Sequence, residues 1–121
     1  EGFDEEVMTF IFELQALKFL GVEPILNNCV VCGKTKNIKT ISVIKGGFVC
    51  IDCNDEVNNN YSKQVLDLIR KLYFVDIERI NTLKINSNNK KKIREFIDDY
   101  YNTHTGIFLK SKNLLNLFNA L

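Results

Sequence analysis

The first part of the chain places apolar residues three or four positions apart, as an amphipathic helix does. This spacing predicts a helix over residues 4 to 20, with acidic residues in its first turn and Gly21 at its end. The apolar positions are Val7, Phe10, Ile11, Leu14, Leu17 and Leu20, widened by Met8, Phe12, Ala16 and Phe19. So wide an apolar face predicts packing on more than one side, or contact with a further domain upstream.

The second half of the chain predicts four more helices. One begins after Ser62 and carries Val65, Leu66, Ile69, Leu72 and Tyr73 on one face, and a short one covers residues 76 to 83. Residues 86 to 89 then read as a polar loop. A long helix follows to about His104 and ends at Gly106, and Ser111 can cap a last helix. The long helix carries its apolar face on Ile93, Phe96, Ile97, Tyr100 and Tyr101. The last helix carries its apolar face on Leu114, Leu115, Phe118 and Leu121.

Between the first two helices the pattern changes to that of a strand. Residues 40 to 43 alternate polar and apolar side chains, and Gly46-Gly47 predicts a turn before residues 48 to 50. Gly33 is expected to adopt a positive φ, which lets backbone amides point at neighbouring sulfurs. The segment therefore predicts a short β-hairpin.

Four cysteines flank this hairpin with the spacing of a zinc ribbon. Two residues separate the members of each pair, so both sulfurs reach one metal from a tight turn, and seventeen residues separate the pairs. The predicted ligands of one structural Zn²⁺ are Cys29, Cys32, Cys50 and Cys53. A dithiol redox centre and two disulfides fit less well, because a βαβ pattern and signs of secretion are both lacking. A catalytic zinc would keep a position open, whereas four thiolates close the shell.

These elements predict a mainly α, α+β fold. Residues 1–121 form one helical domain, and a four-cysteine zinc-ribbon hairpin over residues 27–56 is inserted within it. The ribbon is expected at the edge of the domain, held by its metal.

Composition and charge narrow the function further. The chain has 121 residues, 45% of them hydrophobic, and no apolar run long enough to span a membrane. Four thiolates and one zinc ion together subtract two charges from the formal net charge of +1, leaving −1. Strong non-specific binding to nucleic acid through overall charge is therefore not expected, and contact with polyanions requires local patches.

The densest such patch lies at the start of the long helix. Lys90, Lys91, Lys92 and Arg94 sit where the helix dipole disfavours cations, so a binding role for phosphates or an acidic peptide competes with that of a solvated surface. Lys110 and Lys112 could extend the patch. The ribbon lysines 34, 36, 39 and 45 are expected to offset the charge of the thiolates, and His104 to be a packed residue.

The sequence contains no catalytic constellation. A nucleophile elbow, a Gly-rich phosphate loop and a paired acid motif are all missing. The chain is therefore not expected to be an enzyme.

Taken together, these motifs resemble the bacterial DNA repair protein RecO family, in its C-terminal half. The resemblance runs through residues 12 to 24, through the two cysteine pairs with Gly46-Gly47, and through Tyr100-Tyr101, His104, Gly106 and residues 109 to 112. It implies that an N-terminal OB-fold domain precedes Glu1. The sequence departs from the family over residues 61 to 89, which contain no matching motif.

The resemblance also implies a function. It implies a cytoplasmic, nucleoid-associated recombination mediator that anneals DNA and, with the partner RecR, loads RecA on single strands coated by single-stranded-DNA-binding protein. It further implies binding of that protein's acidic C-terminal tail, and of single- and double-stranded DNA mainly through the missing domain. The alternatives are a zinc-ribbon adaptor in transcription or RNA handling, and an accessory domain of an enzyme.

Overall fold

The computed structural model describes residues 4–55, 61–76 and 83–107. Along the chain it contains α1 (Glu5–Phe19), β1 (Ile38–Ser42), β2 (Gly47–Cys50), α2 (Lys63–Phe74) and α3 (Ser87–His104). The predicted α+β fold class is confirmed. The interior of the helix predicted over residues 76 to 83, and all of the helix predicted after Ser111, lie outside the described residues.

The ends of α1 follow from its sequence. The Asp4 carboxylate accepts hydrogen bonds from the amides of Glu6, at 3.0 Å, and Val7, at 3.4 Å, which caps the first turn. At the other end Gly21 has a φ of 78°, and the amide of Val22 donates to the Leu17 carbonyl at 3.1 Å. This left-handed glycine stops the helix where the sequence predicted.

The other two helices are capped by the same kind of side chain. Ser62 accepts from the amide of Val65, at 3.2 Å, and Asn86 accepts from the amide of Asn89, at 2.8 Å. The prediction of a loop over residues 86 to 89 was therefore wrong: Asn86 is the cap and the following three residues form the first turn of α3. Polar side chains at helix starts resemble loops in sequence because they serve both purposes.

One hydrophobic core joins the three helices and the hairpin. The apolar faces predicted for α2 and α3 are buried except for Tyr73, which is partly buried, and Ile41 and Phe48 of the hairpin belong to the same cluster. Two tyrosines of α3 anchor the core to α1 and the residues after it: the Tyr101 hydroxyl donates to the Glu13 carbonyl at 2.5 Å, and the Tyr100 hydroxyl to the Val22 carbonyl at 2.7 Å. The end of the hairpin near its turn thus packs into the core, and its open end carries the cysteines.

The hairpin itself is antiparallel, with Ile41 opposite Phe48 and Ser42 opposite Gly47. An irregularity in the pairing lies between Ile38 and Thr40. The alternation read from residues 40 to 43 does not separate a buried face from an exposed one, because Thr40, Ile41 and Ser42 are all buried. Both faces of β1 are covered over residues 40 to 42, so Thr40 and Ser42 lie inside the protein, whereas Lys39 is exposed.

A third segment pairs with the hairpin from the other side. Ile25 forms a parallel bridge with Gly47, its amide donating to the Gly46 carbonyl and its carbonyl accepting from Phe48, both at 2.9 Å. A Cβ at Gly47 would lie 2.4 Å from the Ile25 oxygen, so only glycine allows this approach. Among the residues described, no helix has the length and apolar character needed to cross a membrane.

Candidate functional site

The hairpin brings the four predicted metal ligands together. Their sulfur atoms all lie within 4.8 Å of one another, and the sulfurs of Cys32 and Cys50 are 3.7 Å apart. Four sulfurs placed tetrahedrally around zinc at about 2.3 Å lie about 3.8 Å from each other. The cluster therefore has the size and the donor set of a closed four-thiolate site.

The backbone around the first cysteine pair forms a tight turn. The amide of Cys29 donates to the Lys34 carbonyl at 2.7 Å, and the amide of Gly33 donates back to the Cys29 carbonyl at 2.9 Å. Gly33 has the predicted positive φ, 85°, but its amide serves this turn and not a sulfur. The second pair is closed by the amide of Cys53, which donates to the Cys50 carbonyl at 3.2 Å. Each pair is thus held by its own main chain.

The protein environment shifts the pKa values of Cys29 and Cys53 in opposite directions. Burial acts to raise the pKa of Cys29, but the amides of Cys32, Cys50 and Val31 point at its sulfur and together lower that pKa to about 6. The pKa of Cys53 is raised to about 12, first by its hydrogen bond to Cys50 and then by burial. A divalent cation bound among the sulfurs would favour the thiolate form of all four.

Charged residues near the cysteines pair with each other. Lys34 lies 2.9 Å from Asp52, and this carboxylate raises the lysine pKa first, with smaller contributions from Cys50 and Cys32. Lys45 pairs with Asp55 at 2.5 Å. Lys34 therefore faces a carboxylate as well as the sulfurs of Cys32 and Cys50, and Lys45 faces a carboxylate.

Most cations of the predicted basic patch contact acidic side chains of the protein. Lys90 pairs with Asp4 and Glu6 of the α1 start, and its hydrogen bond lowers the pKa of Asp4. Lys92 lies 3.4 Å from Glu95. Lys91 alone of these lysines forms no ion pair within the part of the chain that the structure describes. Lys110 and Lys112 lie outside the described residues.

Arg94 lies deeper than the lysines. Its guanidinium reaches Glu13 of α1 at 2.5 Å and Asp98 of its own helix at 2.8 Å, and it lies over the ring of Phe10. Glu13 is completely buried. Arg94 therefore joins two helices through a buried carboxylate and has little capacity left for a ligand.

His104 is a packed residue, as predicted. Its ring lies 4.3 Å from the ring of Tyr100, and its Nε2 is 2.6 Å from the carbonyl oxygen of Val43 in the hairpin turn. The side chain therefore fastens the end of α3 to the hairpin.

The ends of α1 and α2 enclose a cleft of ≈ 510 Å³ that the sequence did not predict, which we call the aromatic cleft. Gln15 ties the two helices together below it by donating to the carbonyls of Leu72 and Val75. The apolar lining of the aromatic cleft includes Phe19, Ile25, Tyr73 and Phe74, and Lys18 lies beside them. Phe19 is 91% exposed and Phe74 49%. The sequence places Phe19 on the widened apolar face of α1, and no described residue covers it.

A second cleft of ≈ 620 Å³ lies between the ribbon and α2, and we call it the basic cleft. Its charged lining consists of Lys36, Lys63, Asp67 and Arg70. Three of these recur on one side of α2 at helical spacing, which is the only sign of the cleft in the sequence. The lysine from the ribbon joins them through folding alone.

The comparisons with known proteins agree with this architecture. The family model described as Recombination protein O C terminal matches residues 1–113. The DNA repair protein RecO of Bacillus velezensis is 32% identical over 123 residues, covering 100% of this chain and 48% of the relative. That of Bacillus pumilus is 30% identical with the same coverage, and that of Listeria monocytogenes serotype 4b is 29% identical over 95% of this chain and 46% of the relative. The chain spans about half the length of these relatives. No solved structure matches it.

Proposed function

This chain belongs to the recombination protein O C-terminal family, and we propose on that premise that it is the metal-binding, partner-binding part of a recombination mediator in DNA repair. The whole protein would anneal complementary strands and, with RecR, help load RecA on single strands coated by single-stranded-DNA-binding protein. DNA would be bound mainly by the N-terminal region that this chain does not include. Family membership in DNA repair favours this role over an adaptor in transcription or RNA handling.

The role proposed is assembly and not catalysis. Within the described residues, the cysteine cluster is the only group of three or more metal-ligating side chains, and all four of its members would be used in holding the ion. We assign the ion as Zn²⁺, since the donor set is four cysteine sulfurs that lie within 4.8 Å of one another. Its function is structural, fixing the two turns that close the ribbon.

The aromatic cleft is the place we propose for the acidic tail of single-stranded-DNA-binding protein. An acidic tail that ends in an aromatic residue needs an apolar groove with a cation at its rim. The observation that carries the proposal is Phe19, which is 91% exposed beside Phe74 and Lys18. A large aromatic side chain in water at the edge of a cleft is typical of a surface that a partner covers.

The test is a titration with an acidic, Phe-terminated peptide, followed by fluorescence anisotropy. Phe19→Ser should weaken binding by about tenfold or more, because aromatic anchors dominate such interfaces. Ile44→Ser is the matched control: Ile44 is also highly exposed but lies in the hairpin turn, away from the cleft. Equal affinity of the parent chain and the Phe19 variant would refute the location.

The basic patch at the start of α3 remains a second location for the tail. Lys91 and Lys92 can be changed to Ser without disturbing the pairs that Lys90 and Arg94 make with α1. If this double variant loses peptide binding while the Phe19→Ser variant keeps its affinity for the peptide, the tail binds at the α3 surface and not in the aromatic cleft.

A further inference from the structure

Arg70 is the one arginine in the described residues whose charge has no carboxylate partner. Its Nε donates to the Leu26 carbonyl at 3.0 Å, and one terminal nitrogen donates to the Asn27 side-chain oxygen at 2.9 Å. Its guanidinium carbon also lies 5.2 Å from the centre of the Phe74 ring. The group is therefore held in place entirely by neutral partners, which leave its positive charge uncompensated.

The contrast with Arg94 shows what this means for binding. Two carboxylates neutralise Arg94, whereas Arg70 uses two of the five N–H donors of a guanidinium on neutral oxygens. The remaining three donors keep the planar geometry that suits a phosphate or carboxylate. Because Arg70 is already oriented, a ligand would lose little of the free energy of binding in ordering it.

The surroundings of Arg70 favour phosphate over an acidic peptide. Lys36 of the ribbon and Lys63 of α2 line the same cleft, form no ion pair with any residue described, and face a single carboxylate, Asp67. The other polar lining residues are uncharged. Of the apolar ones, Leu26, Phe48 and Leu66 are buried in the core and Ile38 is partly buried against it. An aromatic peptide end would find no exposed apolar surface of that kind here.

We propose that the basic cleft binds backbone phosphates of a single nucleic-acid strand, with Arg70 as its oriented anchor and Lys36 and Lys63 as the flanking cations. A concave cleft lined from two sides admits one strand and not the convex surface of a duplex. The choice of a nucleic acid as the source of the phosphates rests on the proposed function. The site is separate from the aromatic cleft, although Leu26 and Asn27 line both.

The test measures binding of a fluorescent oligothymidine to the 121-residue chain over a series of salt concentrations. Lys36→Ser with Lys63→Ser should weaken binding on the order of tenfold at low salt. Each lost phosphate contact lowers the salt slope by about 0.7 for a single strand, so the slope should fall by about 1.4. Arg70→Lys keeps the charge but loses the planar fork, and should also weaken binding. Melting curves verify that each variant is folded.

The matched control removes the same charge elsewhere. Lys71 and Lys84 are exposed and do not line the cleft, so Lys71→Ser with Lys84→Ser should leave affinity and slope close to those of the parent chain. Equal losses in the two double variants would show diffuse attraction and overturn the proposal. The proposal would also be overturned if Lys36 and Lys63 were needed to bind inorganic phosphate or the acidic peptide but oligothymidine did not bind. Failure of the peptide to respond to Phe19→Ser would instead count against the proposed function alone.

Discussion

Replacing Arg94 by Gln should destabilise the protein far more than its position in a cluster of surface cations suggests. The substitution leaves the Glu13 carboxylate, which is completely buried, without the guanidinium 2.5 Å away. Breaking a fully buried ion pair in this way costs about 3–5 kcal/mol. The Arg94 side chain is 29% exposed, so water reaches part of the site, and we expect about 2–4 kcal/mol.

The assay is urea unfolding followed by circular dichroism, with metal present throughout. Lys91→Gln is the matched control, because Lys91 lies three residues away on the same helix and has no ion pair in the described part of the chain; it should change stability by less than about 0.5 kcal/mol. The dipole argument from sequence alone predicts that removing either cation leaves stability unchanged or raises it. The structure restricts that expectation to Lys91.

The double variant Glu13→Gln with Arg94→Gln isolates the interaction. It should be more stable than Arg94→Gln alone, because it no longer buries a carboxylate that has lost its guanidinium partner. An Arg94→Gln variant as stable as Lys91→Gln, or a double variant less stable than the sum of the two single changes, would refute this reasoning.

Three further outcomes are expected. Protein purified without added metal should contain about one zinc per chain by elemental analysis, and Cys50→Ser should lose it together with the order of the two cysteine turns, while circular dichroism still reports the helices. Gly47→Ala should cost about 2 kcal/mol or more, since its Cβ would lie 2.4 Å from the Ile25 oxygen; Gly46→Ala, at a φ of 86° with its nearest atom at 3.6 Å, should cost only about 1 kcal/mol. Burial raises the pKa of Tyr100 from 10.0 to about 12, so its stabilising contribution is complete below pH 10 and is lost as the pH rises toward 12. Tyrosinate absorbance and unfolding should therefore rise together in that range, and separate transitions would contradict the assignment.

The sequence predicted those features that depend on residues close together in the chain. Three local patterns are confirmed by the structure. They are the apolar spacing of α2 and α3, the glycine at the end of α1, and the spacing of the two Cys-x2-Cys motifs. The start of α3 was missed because Asn86 is equally suited to a loop and to a helix cap. The burial of Thr40 and Ser42 was missed because strand alternation does not reveal that both faces are covered.

The features missed at the candidate sites depend on residues far apart in sequence. Arg94 meets Glu13 across 81 positions, and Arg70 meets Leu26 across 44. In the sequence Arg94 belongs to a dense cluster of cations, whereas Arg70 has a single cationic neighbour, Lys71, so charge density ranks the two arginines in the wrong order. Only the contacts show that Arg94 is neutralised and that Arg70 is not.

The bridge from Ile25 to the hairpin has a consequence for how the ribbon would respond if an ion bound by the four cysteines dissociated. β2 has hydrogen-bonded neighbours on both edges, β1 on one side and Ile25 on the other, and Val30 adds a bond to the Phe48 carbonyl at 2.7 Å. The bonds of Ile25 do not pass through any cysteine. They keep the segment that leads to the first cysteine pair attached to the strand that ends in the second. In the metal-free chain these bonds would therefore still hold the two cysteine turns near each other. Rebinding of an ion would then need only a local rearrangement of the two turns, which is faster than refolding of the whole ribbon.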